Sequence, residues 1–280
     1  MKFTVMGGSG FIGSHLVRHL RERGHEVSAP ERGATPEPRA GHVVYSVGLT
    51  GDFRSRLHET VEAHVTQLSR DLRQISFDSF LYLSSTRVYG GLPTGTTATE
   101  DSKIPVRPSA DSVYDLSKLL GEALCLGTDN PAVRVARLSN VYGPGQSAAT
   151  FLGAVLRQFA EAGKVLIGEA PQSAKDYIGV EETSRLLASI ATRGNERLYN
   201  VASGTRTSHH DIARAITLAT GGNVEFAADA PLRVFPEIAV SRIMSEFGHQ
   251  AKSLLDEMPN LIASLYSKQA VSWQKILKTR

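Results

Sequence analysis

Residues 7 to 13 read Gly-Gly-Ser-Gly-Phe-Ile-Gly, directly after a short apolar run containing Phe3, Val5 and Met6 and directly before a helical pattern. Few chain geometries suit such a run. Glycine permits positive φ in a tight strand-to-helix corner, and without a Cβ the backbone can approach a pyrophosphate closely. The free N–H groups and the dipole of the following helix then face the anion. Spaced as Gly7, Gly10 and Gly13, the triplet is Gly-x-x-Gly-x-x-Gly, not the Gly-x-Gly-x-x-Gly of standard Rossmann domains. Ile12, Leu16 and Leu20, with Gly13 and Val17, form one apolar stripe, Arg18, Arg21, Glu22 and Arg23 lie opposite, and Gly24 closes the helix. A strand from Glu26 to Ala29 leads to Glu31, roughly 20 residues beyond the glycines, where a carboxylate would accept from the adenosine ribose hydroxyls. This context predicts a dinucleotide site, against the plain reading of a strand-turn-helix with no ligand.

At 280 residues the chain is long enough for one large α/β domain, or for one such domain with a small lobe. An apolar content of 41% with 21% charged residues is globular and argues against disorder. Basic residues number 31 against 28 acidic ones, with no basic run carrying interleaved aromatics, so no nucleic-acid partner is expected. The single cysteine, Cys125, excludes an intramolecular disulfide and reads as core. A strand beginning at residue 2 leaves no room for a signal peptide, and no run approaches the ~18 apolar residues of a membrane span. A cytoplasmic protein without a membrane partner is the expectation. His15 and His19 are four apart on a helix, but no third ligand is in register, so they read as solvent-facing and no metal is expected. His209 and His210 carry no claim.

Residues 32 to 41 hold prolines and glycines and read as loop, followed by a strand from Val43 to Val47. Leu57, Val61, Val65, Leu68 and Leu72 recur as one long amphipathic helix. Phe80 to Leu83 make a buried strand that runs into Ser84, Ser85 and Thr86. A polar segment leads to a second helix from Ser112 to Leu126, and a strand from Ala132 to Leu138 follows. This alternation predicts a Rossmann-like, doubly wound parallel sheet in an α/β fold. Residues 1 to 150 read as the dinucleotide-binding domain. Residues 151 to 280 read mostly as a small C-terminal α/β substrate lobe, interleaved with the end of the sheet through elements such as Leu198 to Val201.

The second helix opens Tyr114-Asp115-Leu116-Ser117-Lys118, which places a tyrosine and a lysine on one face. A free tyrosine, with a pKa near 10, is ionised in only about one molecule in a thousand at neutral pH. As a general base it needs a nearby cation; lowering its pKa by about 3 units corresponds to roughly 4 kcal/mol. Alone, such a pair occurs often by chance and reads as an ordinary surface helix pair. Here it follows a glycine fingerprint and a strand that ends in serine.

With these elements the chain resembles the extended short-chain dehydrogenase/reductase superfamily, in particular its NAD-dependent epimerase/dehydratase branch acting on nucleotide sugars. Further segments carry the likeness: Leu83-Ser84-Ser85-Thr86-Arg87-Val88-Tyr89-Gly90, Arg137-Leu138-Ser139-Asn140-Val141-Tyr142-Gly143-Pro144-Gly145, Lys175-Asp176-Tyr177-Ile178-Gly179-Val180 and Tyr199-Asn200-Val201-Ala202-Ser203-Gly204. By this resemblance Tyr114 is the general base and acid on a sugar oxygen, Lys118 binds the nicotinamide ribose and depresses the tyrosine pKa, and Ser85 hydrogen-bonds the same oxygen. Ser84 and Thr86 are the weaker candidates for that serine, and Thr86 counts among the substrate contacts. Gly7, Gly10, Phe11, Ile12, Gly13, Glu31 and Arg32, with Tyr114 and Lys118, would hold the cofactor. Asn140 would contact the nucleotide sugar, and Lys175 and Arg233 its diphosphate. The two amphipathic helices would pair with their copies in a homodimer, the family's usual four-helix arrangement.

Three departures refine the expectation. Dehydratases of the family carry an aspartate-glutamate pair directly after the catalytic serine or threonine; Thr86 and Arg87 stand there, which disfavours a 4,6-dehydratase. The span between Glu31 and Val43 is too short for a helix and a strand, so the sheet should have one strand fewer and a different adenine wall. Glu31 favours NAD, whereas Arg32 leaves NADP open. The leading expectation is therefore an NAD-dependent nucleotide-sugar epimerase acting through transient oxidation at a sugar carbon, C4 by family precedent. A nucleotide-sugar 4-ketoreductase is the alternative, and a non-catalytic cofactor sensor on the same fold is the rival from another class.

Overall fold

The computed structural model describes residues 1–277 except Arg32, Thr35, Pro36, Thr50 and Gln250, with backbone alone for 266–277. Along the chain the elements begin β1 (Lys2–Met6), α1 (Phe11–Glu22), β2 (Glu26–Ser28), β3 (His42–Tyr45), α2 (Leu57–Val61) and α3 (Gln67–Gln74). They continue β4 (Ser79–Ser85), β5 (Thr97–Ala98), α4 (Val113–Leu126), β6 (Val133–Leu138), β7 (Asn140–Tyr142), α5 (Phe151–Ala162), β8 (Lys164–Ile167) and β9 (Ala174–Gly179). The rest are α6 (Val180–Arg193), β10 (Leu198–Val201), β11 (Arg206–Ser208), α7 (His209–Thr220), β12 (Asn223–Phe226), β13 (Glu237–Ile238), α8 (Ser241–Phe247) and α9 (Leu254–Leu277).

A six-stranded sheet in the order β10-β6-β4-β3-β1-β2, parallel throughout, forms the centre. Strand pleating sorts its side chains into two cores. Phe3, Val5, Val44, Leu81, Leu83, Ala136 and Leu138 pack with Leu16 and Leu20 of α1 and Leu186, Leu187 and Ile190 of α6. Their strand neighbours Met6, Val43, Tyr45, Phe80, Tyr82, Val133 and Val135 pack on the other face with Leu68 of α3 and Cys125 of α4. This is the Rossmann-like α/β fold. β2 is an edge strand, and the chain crosses from it to β3 on the other side of β1; among the described residues of 29–41 there is no outer strand. The short span noted above has this consequence for the adenine side.

A separate core gathers Leu152, Leu156 and Phe159 of α5, Ile212 and Ile216 of α7, and Leu254, Met258 and Leu261 of α9 around Tyr142 and Tyr177. The small sheets β11-β9-β7 and β12-β8 accompany it. β10, although late in sequence, is the outer strand beside β6 of the main sheet.

Several local expectations need correction. His15 and His19 are not solvent-facing: they are buried because α6 packs along α1 over the sheet. His15 Nε2 donates to the Pro144 carbonyl at 3.0 Å, and burial lowers the pKa of His19. The helix expected over 57–72 is interrupted by a π turn at Glu62–Thr66, which rotates the face that packs inward. Thr60, Ala63, His64 and Leu68 are buried as a result, and Val61 is left 40% exposed. Asn140, named above only as a substrate contact, opens β7. α6 escaped the sequence reading altogether, although Val180, Ser184, Leu187 and Ala191 give it a buried helical stripe.

Candidate active site

Gly7 has φ +76°, and an added Cβ would meet the Ser46 carbonyl oxygen at 2.9 Å. At Gly13 the approach is closer still: a Cβ would lie 2.2 Å from the Gly7 carbonyl oxygen, inside any allowed contact. The first turn of α1 is thus wedged into the bend that follows β1. No side chain caps Gly10 at the helix start. Its free N–H groups open into a cleft of about 410 Å³ whose wall includes Gly10, Phe11, Ile12 and Gly13.

The same cleft runs past Gly48 to Ser85, Thr86, Arg87, Tyr114 and Lys118, and on to Asn140, Phe151, Lys175 and Phe235. One helix face explains much of this. Tyr114, Lys118 and Glu122 follow at intervals of four on the buried side of α4, against the C-terminal end of β4. Pleating then separates the two serines. Ser84 Oγ donates to buried Glu122 at 2.5 Å, which in turn pairs with Arg137 at 2.6 Å, so Ser84 is engaged in the interior. Ser85, the last residue of the strand, lines the cleft, and its hydroxyl is among the groups that pull the Tyr114 phenol pKa down.

The electrostatics of the Tyr114 and Lys118 pair are set first by its burial. Burial raises the Tyr114 pKa to about 12, against the opposing pull of Ser85 and Arg87. Burial also lowers the Lys118 pKa to about 7, with Glu122 acting in the opposite direction. Lys118 donates to the Leu83 carbonyl at 2.9 Å, and its Nζ lies 6.0 Å from the Tyr114 ring centroid. In the protein alone, Ser85 and Arg87 are the groups that pull the phenol pKa down against burial. Positive charge brought into the cleft would favour the phenolate.

His64 was missed by sequence reasoning because it falls between the apolar residues of its helix. It occupies the π turn, with its ring 5.3 Å from Tyr114 and edge-on to it. Ser117 Oγ donates to the Tyr114 carbonyl, so His64 Nδ1 must donate to Ser117 at 2.8 Å. Burial, then Lys118, push the His64 pKa down to about 2, and the ring is neutral.

The remaining residues named from the sequence fare differently. Asn140 lines the cleft, with its amide held by the Asp176 carbonyl at 2.8 Å. Lys175 lines it too, yet is paired with Glu169 at 3.1 Å, and burial lowers its pKa. Asp176, the carboxylate in the lining, accepts from Ser203, Gly204 and Thr205 and is fully engaged. Arg233 and Glu31 are exposed and lie outside the cleft lining. Arg32 lies outside the described residues. His209 proves to be buried and stacked on Phe151 at 3.8 Å.

The pattern of a family described as "NAD dependent epimerase/dehydratase family" matches residues 3–69 and 55–202. A dTDP-4-dehydro-6-deoxy-D-allose reductase of Streptomyces bikiniensis is 26% identical over 266 residues, covering 78% of this chain and 80% of its own. Among solved structures, MoeE5 in complex with UDP-glucose and NAD superposes with a TM-score of 0.80 at 22% identity, covering 96% of this chain and 100% of that one. TunA, an NAD-dependent NDP-hexosamine 5,6-dehydratase, gives 0.81 at 19% identity, covering 95% and 98%. At such identities the structural likenesses bear on fold alone.

Proposed function

The chain belongs to the NAD dependent epimerase/dehydratase family, and from that premise we propose that it binds NAD and a nucleoside-diphosphate sugar and epimerises a sugar carbon, with Ser85, Tyr114 and Lys118 as the catalytic residues. The observation that supports this most is the single cleft that joins the open start of α1 to the Ser85–Tyr114 pair and Lys118. The cradle fits a dinucleotide pyrophosphate, because Gly7 and Gly13 stand where any Cβ would strike backbone. In this reading Gly7, Gly10, Phe11, Ile12 and Gly13 receive the pyrophosphate, Glu31 the adenosine ribose and Lys118 the nicotinamide ribose. Asn140 and Lys175 meet the nucleotide part of the substrate, with Thr86 beside the sugar.

NAD, when bound, supplies a positively charged hydride acceptor. Ser85 and Tyr114 hold the sugar oxygen between them, and Tyr114 Oη takes its proton and later returns it. Lys118 has its amine fixed by the Leu83 carbonyl and keeps the remaining N–H groups for ribose hydroxyls. A dehydratase would need a carboxylate near the reacting carbon. Thr86 and Arg87 occupy the places after Ser85, and Asp176 is already engaged, which supports epimerisation over water loss. A ketoreductase is the second reading, favoured by the 26% identical reductase. Incubation with a panel of nucleotide sugars and NAD, followed by mass and NMR, is expected to show unchanged mass with altered ring couplings. Loss of 18 mass units, about one water, would refute the epimerase reading, and a gain of two hydrogens with NADH would establish the reductase instead.

We also propose a homodimer through α2 and α4. Leu116 and Leu120, one turn apart on α4, are 38% and 50% exposed, and Val61 on the adjoining α2 is 40% exposed. Wild type is expected to sediment as a dimer at micromolar concentration and Leu120→Glu as a 30.2 kDa species. A wild-type monomer would overturn the assembly. No helix among the described residues is long and apolar enough to cross a membrane.

A further inference from the structure

Arg87 is the charged group in the cleft that the catalytic scheme leaves without a task. Its backbone N–H donates to Ser85 Oγ at 3.2 Å, which places the residue at the reacting end of the cleft. Asp115 of α4 holds the guanidinium by Nε at 2.9 Å. Its plane is confined by two rings, with Cζ 4.9 Å from the Phe53 centroid and 5.6 Å from that of Tyr114. The platform is itself secured: Arg54 stacks on Phe53 at 4.7 Å and pairs with Asp111 at 2.6 Å.

The terminal nitrogens are much less committed. Nη2 makes one long contact, 3.4 Å to the Asp111 carbonyl, and Nη1 has no hydrogen bond among the described residues. An arginine fixed through Nε, lining the cleft and with lightly committed Nη nitrogens, is suited to grip a planar anion by two parallel N–H bonds. The neighbouring cations are otherwise placed. Lys118 is directed to the Leu83 carbonyl and Lys175 to Glu169.

Building on the nucleotide-sugar reading above, we propose that Arg87 selects sugars that carry a carboxylate beside the reacting carbon, so that the substrate class is a nucleoside-diphosphate uronate rather than a neutral hexose. The diphosphate does not compete for this role in the comparison that matters, because it is common to both kinds of substrate. In a bound uronate the carboxylate would sit on the ring carbon next to the one whose oxygen Ser85 and Tyr114 would hold, in the cleft that Arg87 lines. Asp115 fixes the guanidinium through Nε at 2.9 Å.

The test uses matched pairs with the NAD-loaded enzyme: UDP-glucose with UDP-glucuronate, dTDP-glucose with dTDP-glucuronate, and GDP-mannose with GDP-mannuronate. Within the accepted pair, wild type is expected to favour the uronate in kcat/KM by roughly 10- to 100-fold, the range for a hydrogen-bonded charge pair. Arg87→Gln is expected to erase that preference mainly through KM, and Arg87→Lys to restore part of it, as charge without the fork. Circular dichroism and NAD binding of each variant serve as the check on folding. A neutral member favoured by wild type, or an equal loss on both members in Arg87→Gln, overturns the carboxylate role and leaves the general function standing. Failure of every pair to bind or turn over overturns the nucleotide-sugar reading, and this inference with it.

Discussion

Tyr114→Phe is expected to lower kcat by about 10³-fold while NAD still binds, since removing a positioned general acid–base costs roughly 10²- to 10⁴-fold. The phenol is 5% exposed and its ring packs against Phe53 and His64, so phenylalanine keeps the packing and removes only the hydroxyl. Turnover of the accepted nucleotide sugar, measured beside cofactor binding by fluorescence, separates the two effects. If kcat is unchanged, Tyr114 is not the proton-transfer group and the epimerase and ketoreductase readings both fail. Burial drives the pKa of this phenol up to about 12 and that of Lys118 down to about 7. The site therefore resists charge on either group until its ligands are in place.

Gly13→Ala is expected to have the next largest effect: loss of NAD affinity by about 100-fold, as for a misplacement of ~1 Å in a positioned site, with a stability loss of about 1–3 kcal/mol from overpacking. The added methyl would meet the Gly7 carbonyl oxygen at 2.2 Å and the Gly8 Cα at 2.9 Å, and backbone cannot rotate aside as a side chain can. Gly24→Ala is the matched control. That glycine has φ +72° with nothing within 4 Å of its Cβ position, so alanine there strains one residue without touching the cleft. Titration calorimetry with NAD and thermal denaturation read both properties. Wild-type affinity and melting in Gly13→Ala would show that the turn is not the cofactor cradle.

Much of the architecture was legible because it rests on local rules. The β1-turn-α1 unit follows from glycine stereochemistry and a helical stripe, and the buried runs of β4 and β6 follow from strands covered on both faces. The Tyr114 and Lys118 face of α4 follows from the helical repeat. The same periodicity misjudged His15 and His19, whose polarity suggested solvent, because α6 returns from far along the chain to cover α1. It misjudged the 57–72 helix as well, since a π turn shifts the buried face without any glycine or proline to mark it.

The sequence by itself determined the local units on which the proposed chemistry rests: a glycine turn at the start of a helix, and a serine, a tyrosine and a lysine in family order. Each of these is encoded by spacing within one element or by the backbone freedom of a single residue type. Only the tertiary structure decided the electrical state and the company of those groups. Burial between β4, α4 and the π turn sets the Tyr114 and Lys118 pKa values, draws His64 beside them, sends Ser84 to Glu122 and leaves Ser85 at the rim. Residues remote in sequence also hold Arg87, through Phe53 and Asp115, in the lining of the cleft. Desolvation and charge pairing depend on what comes together in space, and no spacing along the chain records that.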